Sequence, residues 1–190
     1  MKKTETVQPC FCLRKTPFGP VAVLWSLYGD ASKIDRVVLS APKFPASKNA
    51  KTLFPDLVNA SCTEVDGVAD QIAAFLNGDN IRFQLDMVRM DLCTQFQQRV
   101  LRAEHGIPRG RVSTYQRIAR HIGNVKGARA VGTALARNPF PIIIPCHRAV
   151  RSDGTLGGYQ GGLEMKRALL EMEGVYSDTF DRVLTKAFFY

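Results

Sequence analysis

Pro141-Ile142-Ile143-Ile144-Pro145-Cys146-His147-Arg148 is the stretch on which the reading of this chain turns. An apolar, strand-like run delivers a cysteine bracketed by a proline and an imidazole, so the thiol is held rigidly beside a base. An unassisted thiol titrates near about 8.5 and is only about a few per cent thiolate at neutral pH, so a partner that takes its proton raises the reactive fraction. The residues are those of a nucleophile site. Neighbours on an extended chain point to opposite sides, so a water or a bend in the backbone has to link His147 to Cys146.

The segments leading to this stretch are helical. Thr94 with Gln97, and Ser113 with Gln116, have the reciprocal capping pattern of a hydroxyl residue followed three positions later by Gln. The spacing predicts one helix from Thr94 to about His105 and another from Ser113 that Gly123 terminates. Asn124 caps a third, which runs to about Arg137 and is stopped by Asn138-Pro139. Two short helices joined by a tight turn form a helix-turn-helix pattern. On the third helix a 3.6-residue period turns Ala128, Val131 and Leu135 inward and leaves Arg129, Gly132, Thr133 and Ala136 on another face. Small residues let a helix approach a nucleic-acid backbone closely, and one long cation among them can enter a groove or the base stack.

Charge supports a polyanionic partner. Between Arg99 and Arg137 nine Lys or Arg face a single acid, Glu104; residues 97–174 carry 13 basic and 5 acidic side chains, against 11 and 10 in residues 1–96. Of the formal net charge of +9, therefore, +8 sits in the second half. A chain of 190 residues, 45% of them hydrophobic, suits one large or two small domains with a core. The charged start, Met1-Lys2-Lys3-Thr4-Glu5, precedes no apolar run of signal-peptide length, and no stretch is long enough to span a bilayer, so a secreted or membrane protein is not expected. Cys10, Cys12, Cys62, Cys93 and Cys146 are odd in number and irregularly spaced, which points to free thiols in a reducing compartment. Residues 1–96 hold no histidine and their cysteines are poorly spaced for zinc, so no metal site is expected. Gly157 to Gly162 lacks the Lys-Ser or Lys-Thr of a phosphate loop, and His105 and His121 read as structural or solvent-facing.

In the first half, Val21 to Trp25 and Val37 to Leu39 are β-rich runs separated by Tyr28-Gly29-Asp30, which predicts an antiparallel hairpin. Ser47 to Pro55 reads as a loop, and Val68 to Leu76 has helical spacing that stops at Asn77-Gly78. A split into two domains falls near residues 80–92.

From Phe96 to Gly174 the sequence resembles the catalytic domain of the O6-alkylguanine-DNA alkyltransferases, also called methylated-DNA–protein-cysteine methyltransferases. Seven ordered matches carry the resemblance: Phe96-Gln97-Gln98-Arg99-Val100, Ile107-Pro108-Arg109-Gly110, Ser113-Thr114-Tyr115, Ala128-Arg129-Ala130-Val131-Gly132, Asn138-Pro139, Ile144-Pro145-Cys146-His147-Arg148 and Glu173-Gly174. The segment from Thr16-Pro17-Phe18-Gly19-Pro20 is similar, more loosely, to the family's smaller domain. The fold implied is α/β: a ribonuclease H-like amino-terminal domain of antiparallel sheet and helix (1–90), a mainly helical, winged-helix-like DNA-binding domain (91–176) and a tail (177–190).

The resemblance implies roles residue by residue. Cys146 is the alkyl acceptor, His147 the base through a water, and Glu173 the carboxylate that orients the imidazole. Glu173 closes a helical segment from about Leu163, where its charge opposes the helix dipole, so it needs a cationic partner. Tyr115 donates a hydrogen bond to the departing guanine, Arg129 fills the gap left by the extruded nucleotide, and Asn138 braces the turn beneath the site. Ala128, Ser113, Thr114 and Thr133 join Arg129 on DNA, while Ala149, Tyr159, Gln160 and Gly161 wall the base pocket within the flexible segment Gly157 to Gly162. Ala149 stands where many relatives have valine, contributing a backbone carbonyl; Gln160 replaces a frequent serine, and Leu101 a frequent tryptophan. The partner implied is double-stranded DNA containing O6-alkylguanine, with no cofactor, a monomeric state and an intracellular place: cytoplasm or nucleoid in a prokaryote, nucleus in a eukaryote. The alternative is a non-catalytic alkyltransferase-like protein that only recognises the lesion; such relatives lack the acceptor cysteine, and this chain has Cys146.

Overall fold

A computed structural model describes residues 8–41, 44–184 and 188–190; the charged first residues, 1–5, lie outside these. The expected hairpin is β2 (Val21–Tyr28) and β3 (Ala31–Val38), antiparallel and joined through Gly29, whose φ of 61° a two-residue hairpin turn requires. Two further strands lie outside the hairpin reading. β1 (Cys10–Arg14) pairs antiparallel with β2, and β4 (Val58–Asn59) runs parallel to β1, so the sheet is mixed, in the order β3-β2-β1-β4.

A helix covers each face of this sheet. α2 (Thr63–Leu76) buries Val65, Ala69, Ile72, Phe75 and Leu76 along one stripe, places Glu64 and Asp66 where its dipole favours acids, and ends at Asn77-Gly78 as expected. It packs on Val21, Val23 and Trp25, while Ala22 and Leu24 face the opposite way onto Ala46 and Ala50 of α1 (Ala46–Leu53). The expected loop at Ser47 to Pro55 is thus corrected to a helix. Its buried stripe is two alanines four residues apart, too weak a pattern to mark a helix from sequence.

α3 (Gln95–His105) is capped by Thr94 Oγ1, which accepts from Gln97 N at 3.3 Å. The reciprocal half of that box is replaced: Gln97 Nε2 donates to Ala134 O (3.2 Å) and Arg137 O (3.1 Å), tying α3 to the end of α5 (Ala128–Ala136). Ser113 is not the next cap. It sits in β5 (Ser113–Thr114), paired with β6 (Ala149–Val150), and Thr114 Oγ1 caps α4 (Tyr115–His121) by accepting from Arg117 N at 3.1 Å. Asn124 likewise closes the α4–α5 turn through its backbone oxygen, which accepts from Gly127 N at 2.8 Å, and Gly127 stands at the helix cap. α6 (Leu163–Met172) ends at Glu173.

One buried cluster continues from Val21, Val23 and Ile72 to Val100, Val131, Ile144 and Cys146. Val37 N donates to Pro139 O at 2.8 Å, and Ile34 N to Met87 O at 2.8 Å, so β3 braces both the 80–92 connection and the turn before Cys146. Val183 and Phe188 of the tail pack on Val112, Val150 and Leu170. All five cysteines are free thiols. Among the described residues no helix is long and apolar enough to cross a membrane.

Candidate active site

The run before Cys146 is a tight buried turn, which corrects the strand-like expectation. Ile144 N donates to Phe140 O at 2.8 Å, and Ile142 adopts a φ of 74°, a strained conformation for a β-branched residue. Asn138 holds the turn from within: its Nδ2 donates to Ile144 O at 3.0 Å and its Oδ1 accepts from Phe140 N at 2.9 Å. A 3-10 turn over Cys146–Arg148 follows. With three residues per turn, adjacent side chains diverge, so Cys146 and His147 point apart although the chain there is not extended.

His147 is fully buried and its Nε2 lies 2.9 Å from Glu173 Oε1. Glu173 has the cationic partner its place at a helix end demands: Arg148 donates from Nε to Oε2 (2.9 Å) and from Nη2 to Oε1 (2.7 Å), and its Nη1 donates to Ile107 O at 2.6 Å. Burial alone would raise the Glu173 carboxyl; His147 and Arg148 outweigh it and hold it at about 2. Burial lowers His147, so the ring is neutral and the full positive charge beside Glu173 belongs to Arg148. With Nε2–H donated to the carboxylate, Nδ1 carries the lone pair, and it has no hydrogen-bond partner in the protein. Burial pushes the Cys146 thiol up to about 11, opposed by the Asn138 amide.

Cys146 opens on a cavity of about 380 Å³ lined by Tyr115, residues of α5 including Gly132 and Ala136, Arg151, and the Gly157–Gln160 wall. That size is in the range of about 300–1,000 Å³ that holds small organic ligands. A larger open groove of about 1050 Å³, between Phe18 and Leu163, does not include the thiol, so size alone does not select the site. Gln160 Nε2 donates to Asn138 O at 2.7 Å, which links the wall to the turn under Cys146. Tyr159 meets the His147 ring edge-on at 6.2 Å, and a side-chain carbon added at Gly161 would overlap Met165 and force its flexible side chain to move. Ala149 is buried and its carbonyl accepts from Lys166 Nζ at 2.6 Å.

Arg129 and Thr133 lie exposed on the outer face of α5, with Ala128 partly exposed, one turn from pocket-lining Gly132 and Ala136. Ser113 and Thr114 are both buried, Thr114 Oγ1 serving as the α4 cap and Ser113 Oγ donating to Phe189 O at 2.8 Å, so their hydroxyls do not share the exposed face of Arg129.

Several site residues escape a reading of sequence alone. Lys166 is fully buried and holds Ala149 and Leu156 through their carbonyls; its signal is a lysine on the stripe Leu169, Leu170 and Glu173, at helical spacings of three, four and seven. Glu104 is likewise buried on the Val100–Leu101 stripe of α3, with neither carboxylate oxygen hydrogen-bonded. Arg148 lies inside the quoted motif, but its bidentate contact needs Glu173, 25 residues away.

Residues 95–175 match the family model for 6-O-methylguanine DNA methyltransferase, DNA binding domain. A methylated-DNA–protein-cysteine methyltransferase of Mycobacterium bovis is 38% identical over 159 residues, covering 83% of this chain and 88% of that protein. The chain belongs to this methyltransferase family. The protein of the same name from Methanothermobacter thermautotrophicus is 49% identical over 106 residues, which is 56% of this chain and 59% of that one. The crystal structure of Mycobacterium tuberculosis OGT in complex with DNA superposes with a TM-score of 0.69 at 34% identity, covering 87% of this chain and 93% of that one. Family membership accounts for the α/β architecture and for DNA as the partner of the basic half.

Proposed function

We infer that the chain repairs DNA by moving an alkyl group from O6 of guanine to its own Cys146, in a single irreversible turnover. The observation that carries this is the cysteine itself: Cys146 faces a base-sized cavity, with neutral His147 and ionised Glu173 behind it. A lesion-recognition protein without chemistry has no use for that acceptor. His147 Nδ1 accepts the thiol proton through an intervening water as sulfur attacks; the S–C bond forms while the C–O6 bond breaks, and the electron pair leaves with the purine. Glu173 fixes the ring tautomer and steadies the imidazolium. Tyr115, on the cavity wall beside Gly157, donates to the departing base. Arg129 enters the stack when the nucleotide is extruded, and α5 is narrow enough beside it to follow the groove.

Residues 1–90 serve as the scaffold on which the turn bearing Cys146 is braced, and 91–176 as the DNA-binding and catalytic part, acting as a monomer. Work on genomic DNA puts the chain inside the cell. Intact-protein mass after incubation with a duplex containing O6-methylguanine should rise by one methylene, mapped by peptide fragmentation to Cys146. An unchanged mass while the duplex stays bound would instead establish the recognition-only alternative.

A further inference from the structure

Arg151 is the one cation among the residues lining the Cys146 cavity. Its backbone is fixed in a turn after β6, with Arg151 N donating to Thr155 O (2.8 Å) and Gly154 N to Arg151 O (3.0 Å). A carbon added to Gly157 would lie 2.9 Å from the Tyr115 hydroxyl and 3.6 Å from Arg151 Cγ, so both side chains flank one point of the wall. Asp153, the nearest acid in sequence, is turned to Thr155, accepting from its N (3.0 Å) and Oγ1 (2.7 Å). Among the described residues no carboxylate forms an ion pair with the Arg151 guanidinium.

We propose that Arg151 takes part in the transfer by balancing the negative charge that develops on the departing guanine, beside the Tyr115 hydroxyl. The proposal rests on the alkyl-transfer reading. As the C–O6 bond breaks its electron pair stays on the purine, and a proton must eventually neutralise it; Tyr115 is the donor at that end. Burial, then the nearby Glu104 and Cys146, make that hydroxyl a weaker acid, and Arg151 is the group that opposes them. A base in the cavity displaces water from its mouth, so a guanidinium beside it acts at a lower dielectric than in bulk solvent, where its charge is worth more. The competing use of an exposed arginine at this mouth is a backbone phosphate.

Single-turnover rates separate the two uses, measured with saturating protein on an O6-methylguanine duplex, on free O6-methylguanine and on its 8-bromo derivative, a better leaving group. Arg151→Ala should slow transfer from duplex and free base alike, by roughly 10- to 100-fold, with duplex Kd unchanged. The loss should be smaller on the 8-bromo base, and Arg151→Lys, which restores the charge, should recover most of the rate. A loss confined to the duplex with weakened binding would assign Arg151 to a phosphate and overturn the proposal. Equal losses on both free bases would overturn it in favour of packing. No transfer by the unmodified protein from any substrate would overturn the alkyl-transfer reading, and this one with it.

Discussion

Cys146 rests as a thiol, the wrong protonation state for displacement, while His147 rests neutral, the state able to accept its proton. A thiol held at about 11 is thiolate in roughly one molecule in ten thousand at pH 7, and the imidazole proposed to take its proton is neutral. Ionisation therefore accompanies attack instead of preceding it. The transfer rate is predicted to be flat with pH above about 6.5 and to fall only below it, as His147 takes up a proton. A rate climbing tenfold per pH unit between 6 and 9 would mean that preformed thiolate attacks without a base. Two buried glutamates act on stability with opposite pH signs. Glu173, held at about 2 against an ordinary 4.5, adds stability above pH 4.5 that is lost as pH falls toward 2. Glu104 is pushed up to about 8 by burial, so the fold keeps a proton the unfolded chain has lost, and stability drains as pH rises from 4.5 to 8. Glu104→Leu should stabilise the fold by on the order of 3 kcal/mol more at pH 7 than at pH 4.5, measured by urea unfolding. The same gain at both pH values would assign the effect to packing.

The turn from Asn138 to Cys146 and the helix α5 before it are the elements that join lesion handling to chemistry. Gly132 and Ala136 line the cavity while Arg129 projects one turn earlier on the exposed face, so one helix presents both the pocket wall and the residue proposed to occupy the vacated stack. Arg129→Ala should slow repair in duplex by roughly 10- to 100-fold and leave transfer from free O6-methylguanine within about twofold, because only the duplex requires extrusion; equal losses would remove Arg129 from that role. Elements were legible where local chemistry is strong. The β2–β3 hairpin has a turn glycine between apolar runs, and α2 and α3 have apolar stripes with clear ends. α1 was not legible, since its buried face is only Ala46 and Ala50, and β4 is two residues whose pairing with β1 is non-local. The cap shifted from Ser113 to Thr114 because β5 pairs with a strand 36 residues downstream, a contact no window of local sequence contains. At the site, Cys146, His147, Asn138 and Glu173 stand out through an ordered motif; Lys166, Glu104 and Arg151 depend on which helix faces meet, and that is decided by packing.

Across the whole molecule the division of labour follows charge and packing. The first half is nearly neutral and contributes β3 and Phe75 as supports behind the site, the Phe75 ring lying 6.0 Å from that of His147; the second half carries the positive field that draws DNA. Nothing in this arrangement regenerates the acceptor. Displacement at the alkyl carbon leaves a thioether on Cys146, which lacks the acyl carbonyl that water attacks in cysteine hydrolases. Besides Cys146 the cavity lining carries only the hydroxyls of Tyr115 and Tyr159 as potential nucleophiles, and burial makes both weaker acids. The most direct test is the stoichiometry of repair with excess O6-methylguanine duplex. Product should appear in a burst equal to the number of active protein molecules and then stop, with no burst from Cys146→Ser. Sustained release of many products per molecule would contradict self-alkylation and require a turning-over hydrolase in its place.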